Sequence, residues 1–167
     1  MNQIVRKFAL VAAVAALALP LAACKEEAPV KVEKPAVPVP TNDDAAAWRA
    51  YVSDVVRRNA KDVSSSPYIY LVPQTTSEDF EDAYARLTDK AKADVARGVL
   101  PGSMLAFAAS QRDSSKAAEL AVAAISSAGP DKLRDVKVLY IGTAAEGEQV
   151  KAAIGLSAAT VVVVEAK

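Results

Sequence analysis

The chain has no histidine, and only one of its 167 residues is cysteine, Cys24. The first absence removes the commonest general base and transition-metal ligand, and with them any Ser-His-Asp or Cys-His device. The second excludes an intrachain disulfide and a Cys-x-x-Cys redox or zinc motif. Net charge is missing too, since 20 Lys and Arg stand against 20 Asp and Glu. Without a basic surplus to neutralise phosphates, nucleic acid is not an expected partner. Beyond residue 24 no apolar run is long enough to cross hydrocarbon of ~30 Å. Stability has to come from a packed core, for which a segment of roughly 125 residues is long enough.

The N-terminal segment carries the most specific pattern. Arg6 and Lys7 form a basic start, Phe8 to Leu19 an apolar stretch, and Leu21-Ala22-Ala23-Cys24 a small-residue end that contains the sole thiol. Only 17 residues, interrupted by Pro20, separate Lys7 from Lys25, which is at the short limit for a membrane span. This order of parts resembles the bacterial lipoprotein signal peptide with its lipobox, of the kind cut by signal peptidase II.

The resemblance covers residues 1–24 and implies removal of residues 1–23, a diacylglycerol thioether on Cys24, and, in Gram-negative cells, a palmitate-type acyl chain on its amine. Each buried methylene contributes about 0.8 kcal/mol, so several chains make the anchor essentially permanent. Lys25, where a retention signal would have Asp, implies release to the periplasmic face of the outer membrane in a Gram-negative cell; elsewhere the anchor would be in the cell membrane. Loss of Arg6 and Lys7 leaves 18 basic against 20 acidic side chains, still close to neutral.

After Cys24, Pro29, Pro35, Pro38 and Pro40 punctuate residues 25–42 and forbid a continuous helix. An extended tether of ~3.1 Å per residue, some 50 Å long, is expected to hold a globular domain at 43–167. That domain opens with a helical stripe of Trp48, Tyr51, Val52, Val55 and Val56, capped by Thr41 or Asn42. The stripe is a core-facing surface more readily than a binding platform. Strands are expected at Tyr68–Val72, Ser103–Ala109, Val136–Ile141 and Thr160–Glu165. Helices at about Ser77–Arg97, Ser114–Ser127 and Glu148–Ile154 would separate them.

Strand and helix in strict alternation point to an α/β fold: a small three-layer domain with a mostly parallel four-stranded sheet and an extra N-terminal helix. Val161 to Val164 suit a strand covered on both faces. By analogy with doubly wound folds the expected strand order is 2-1-3-4.

In such a sheet, ligands bind beyond the carboxyl ends of the strands. The loops there carry Gln74, Thr75, Ser110, Gln111, Arg112 and Asp113, the candidate ligand-binding set. Helix capping by Thr76, Ser77, Asp113 and Ser114 would account for many of the same residue types. Gly142 and Gly147 have phosphate-loop spacing, but Glu148 and Gln149 occupy the positions of the required Lys and Ser/Thr, so a simple glycine turn is expected. The acidic group Glu78, Asp79, Glu81 and Asp82 fits a helix N-terminus better than a calcium loop. No cofactor, metal site or catalytic residue is assigned.

The sequence thus points to a lipid-anchored, non-enzymatic envelope protein that binds a periplasmic protein or another envelope component and is joined to the membrane through Cys24. The alternative is a small-ligand receptor or enzyme using the loops around Gln74, Arg112 and Asp113. An arginine turned into a strand-end cleft would favour the alternative, whereas a filled edge would weaken it.

Overall fold

The computed structural model describes residues 34–129, 132–155 and 158–167; the expected signal segment and Cys24 lie outside them. A compact unit begins at Pro35. Its elements run α1 (Ala45–Asn59), β1 (Tyr68–Leu71), α2 (Phe80–Arg97), β2 (Met104–Ala108), a short 3-10 turn (Gln111–Asp113), α3 (Ser114–Ser126), β3 (Lys137–Gly142), α4 (Ala144–Ile154) and β4 (Thr160–Glu165). The expected alternation is present, and all three strand pairs are parallel.

Helix starts follow local chemistry more closely than the hydrophobic pattern alone indicated. Asp44, not Thr41 or Asn42, caps α1, accepting from the amides of Ala46 at 2.7 Å and Ala47 at 2.9 Å. Those two backbone bonds hold its carboxyl below the usual value. Asn42 instead receives the Asp44 amide on its side chain, and its carbonyl receives Trp48 Nε1 at 2.8 Å. The last helix begins at Ala144, four residues earlier than the expected Glu148, because Thr143 and Glu146 close a capping box around its free N–H groups. Gly147 is therefore a helix residue and not part of a glycine turn.

The strand order is β1-β2-β3-β4, not the expected 2-1-3-4. Each crossover returns the chain to the neighbouring position in the same direction, so α2, α3 and α4 all fall on one face. Tyr70, Leu105, Phe107, Val138 and Tyr140 pack beneath these helices in one core. The alternate strand residues Met104, Ala106, Ala108, Leu139 and Ile141 form a second core against α1. Trp48 and Tyr51, 3% and 5% exposed, belong to that core, as the helical stripe predicted.

One helix cannot cover four strands, and two further segments differ from expectation for this reason. Val37 and Val39, expected in a free tether, pack against the α1-side core, and the Val37 amide donates to Asp54 at 3.2 Å. Asp54 lies on the flank of α1 opposite Arg49 and Ser53, which look toward Ile69 and Leu71 of β1. The segment 35–40 therefore lies along the β4 side of α1, while Ile69 on the β1 side remains 44% exposed. Asp54 is held down to about 2, chiefly by the bond from Arg58, with burial opposing and Val37 and Arg57 assisting.

The four valines of β4 were expected to be covered on both faces. β4 is an edge strand, and each valine is half-buried. Val161 and Val163 do face the α2–α4 core, and Val162 and Val164 the α1 core. A carboxylate introduced at Val162 or Val163 would reach water past the edge and cost less than one sealed inside.

Close packing at β4 makes one glycine necessary. A Cβ on Gly147 would lie 2.7 Å from both methyl groups of Val163. On helix propensity alone Gly147→Ala would gain up to about 1 kcal/mol. The clash with a short branched side chain outweighs that gain, and denaturant unfolding should show a net loss of about 1–3 kcal/mol. A more stable Gly147→Ala would refute this packing.

Candidate functional site

The loops after β1 and β2 do come together, but mainly through one another. Asp113, only 4% exposed, accepts from the Thr75 hydroxyl at 2.6 Å, the Thr75 amide at 3.3 Å and the Ser110 hydroxyl at 2.9 Å. Three of the six candidate residues are thus tied into a clasp between the two loops. Capping does not explain them in the expected way, since Asp113 makes no side-chain cap bond to α3. At the start of α2, Ser77 bonds back to the Gln74 carbonyl at 2.7 Å instead of capping forward.

The other three line open depressions on either side of the α1 N-terminus. Gln74 borders one of about 220 Å³ together with Trp48, Leu71, Pro73 and Ser110. Gln111 and Arg112 border another of about 500 Å³, with Thr41, Asn42 and Asp43 opposite. Arg112 does not turn into a strand-end cleft: it is 62% exposed and pairs with Asp43 at 2.8 Å. The strand order accounts for the missing crevice. With every crossover on one side there is no point at which neighbouring loops diverge to opposite faces, and such a point is what opens the usual ligand crevice.

A second polar group, at the ends of β3 and α4, was not read from the sequence as a unit. Tyr140 donates from the core to Glu146 at 2.8 Å, and Ser114 donates to the same carboxylate at 2.9 Å. The Thr143 amide adds a third bond at 3.0 Å. Burial works against ionisation of Glu146, but these donors outweigh it and leave the carboxyl below its ordinary value. Burial, reinforced by the neighbouring carboxylate, pushes the Tyr140 hydroxyl far up. Thr143-x-x-Glu146 is the capping-box signature that could have revealed the start of this group. Gly142 provides room for it, because a Cβ there would lie 2.3 Å from the Tyr140 oxygen.

Tyr70 repeats the arrangement on β1. Its hydroxyl donates to Asp94 of α2 at 3.0 Å, and Lys90 and Arg97 flank that carboxylate. Asp113, Glu146 and Asp94 are each bonded by several donors, and those on Glu146 and Asp94 hold the carboxyls below their ordinary values, which suits these acids to fastening loops and helices. Among the described residues, no group of three or more Asp, Glu, His or Cys is arranged to hold a metal ion.

Two outcomes follow. Asp113→Ala leaves the Thr75 and Ser110 donors without a partner and should cost about 1–3 kcal/mol in unfolding free energy, whereas Arg112→Ala should change it by less than about 0.5 kcal/mol. Equal effects would contradict the clasp. For Glu146, a folded-state value lowered from 4.5 means a contribution that is present above pH 4.5 and lost as pH falls through the depressed value. Glu146→Gln should be less stable at neutral pH and should lose less stability on acidification than the unaltered chain, as read by melts across that range.

The chain matches no known protein family, no curated protein and no solved structure, so the geometry alone bears on what this domain does.

Proposed function

We propose that the protein is a lipid-anchored envelope protein, processed before Cys24 and held, in a Gram-negative cell, at the periplasmic face of the outer membrane and otherwise at the cell membrane, whose domain works by binding a periplasmic protein or another envelope component. The observation that carries the reading is Leu21-Ala22-Ala23-Cys24 at the end of a basic-then-apolar leader, with the chain's sole cysteine in the acylated position. Among the described residues no helix is long and apolar enough to cross a membrane.

A binding role in place of catalysis is supported by the engagement of the polar side chains. Asp113, Thr75 and Ser110 bond one another, Glu146 fastens α4, and Arg112 pairs with Asp43. The alternative, a small-ligand site around Gln74, Arg112 and Asp113, has the open depressions beside Gln74 and beside Arg112 as places for a ligand, with Asp113 engaged between them.

Metabolic labelling with a fatty-acid analogue tests the anchor. Cys24→Ser should abolish the label and leave an uncleaved precursor, because acylation and cleavage both depend on that thiol. Equal labelling of both proteins would remove the lipoprotein reading, and fractionation solely with inner-membrane markers would remove its outer-membrane placement.

A further inference from the structure

The two edges of the sheet are guarded very differently. The Val72 amide bonds to the Ala108 carbonyl, so Tyr68 and Tyr70 also face β2 and the odd-numbered positions face outward. Those positions are Pro67, Ile69, Leu71 and Pro73, which leaves two outward N–H groups between two prolines. Proline at an edge blocks the approach of another strand.

β4 has no such protection. The amides of Thr160 and Ala166 bond to the carbonyls of Val136 and Gly142, so Val161, Val163 and Glu165 turn their N–H and C=O groups away from β3. This edge is six residues long, contains no proline and carries four valines in succession. Its single acidic side chain, Glu165, is paired with Lys167. The strand is also held in its extended form from both faces. Val163 is wedged against Gly147 of α4, and Val162 and Val164 pack in the α1-side core.

We propose that β4 pairs with β4 of a second copy of this chain, antiparallel and about a two-fold axis through Val163, to join two four-stranded sheets into one. Only outward-facing residues can exchange hydrogen bonds across an antiparallel pair, so the two partners of each bonded pair must both be odd-numbered. Centring on Val163 satisfies all three: Val163 meets Val163, and Val161 meets Glu165 in both directions. Between them Val162 meets Val164, a β-branched cross-strand pair. No like charges face each other, since Glu165 lies opposite Val161.

The symmetry also suits the chain that leaves the domain. An antiparallel pair has its two-fold axis perpendicular to the sheet, so both copies carry segment 35–40, and with it Pro35, on the same side of the joined sheet. Two chains held at one surface can therefore pair without turning over. The pairing itself does not depend on acylation of Cys24.

The test uses the full-length processed protein in mild detergent. Sedimentation equilibrium should give two copies per particle, and hydrogen exchange should find the Val161, Val163 and Glu165 amides as slow as those bonded to β3. Glu165→Pro removes an outward N–H while sparing the β3 ladder and should yield one copy per particle with an unchanged circular dichroism spectrum. Glu165→Thr keeps that N–H and should remain two. One copy per particle for the unaltered protein, rapid exchange at the three amides, or a second, different polypeptide on the edge would each overturn the proposal. If Glu165→Pro does not fold, the amide exchange of the unaltered protein decides alone.

Discussion

The constraint on which this fold rests is the direction of its crossovers. Because the chain moves from β1 to β4 one neighbour at a time, α2, α3 and α4 lie on one face and cannot serve the other. The second face carries Met104, Ala106, Leu139 and Ile141, which would otherwise stand in water. α1 and the residues just before it exist in their observed positions to remove that exposure. At roughly 1.5–3 kcal/mol for each fully buried large apolar side chain, leaving this face open would cancel most of a domain's ~5–15 kcal/mol of stability.

The same arrangement explains why the strand ends do not form a ligand crevice. Loops that all turn to the same side lie close together and can be fastened to one another, as Asp113 fastens Thr75 to Ser110. Acidic groups elsewhere have a similar part. The two core tyrosines, Tyr70 and Tyr140, rise from the sheet to carboxylates on α2 and α4, so each hydroxyl is satisfied and each helix is fixed over its strand.

Much of this was legible in the sequence, and the failures have physical causes. The stripe Trp48, Tyr51, Val52, Val55 and Val56 gave α1 and its buried face, and Thr160–Glu165 was read to the residue. Alternation of short β-branched runs with helical patterns gave the parallel sheet. Strand order was not legible, because every residue on β1 to β4 has the same two-face pattern whether its neighbour is near or distant in the chain. Four valines look alike on a covered strand and on an edge held by neighbours on both faces. The docking of Val37 and Val39 was hidden by the prolines around them, which announce extended chain but do not say whether it lies in water or on a core. The candidate set at 74–75 and 110–113 was correctly placed at the strand ends, yet side-chain type could not distinguish groups that bind a ligand from groups that bind each other.

Docking of Val37 and Val39 makes part of the proline-rich segment a piece of the fold. The central structural claim is that residues 35–42 complete the cover of the second face. Denaturant unfolding of fragments beginning at Pro35 and at Asp43 measures it directly. The shorter fragment should be less stable by about 1–3 kcal/mol, through loss of the Val37 and Val39 contacts and the amide bond to Asp54. Identical unfolding curves would contradict the claim and return those residues to a free tether.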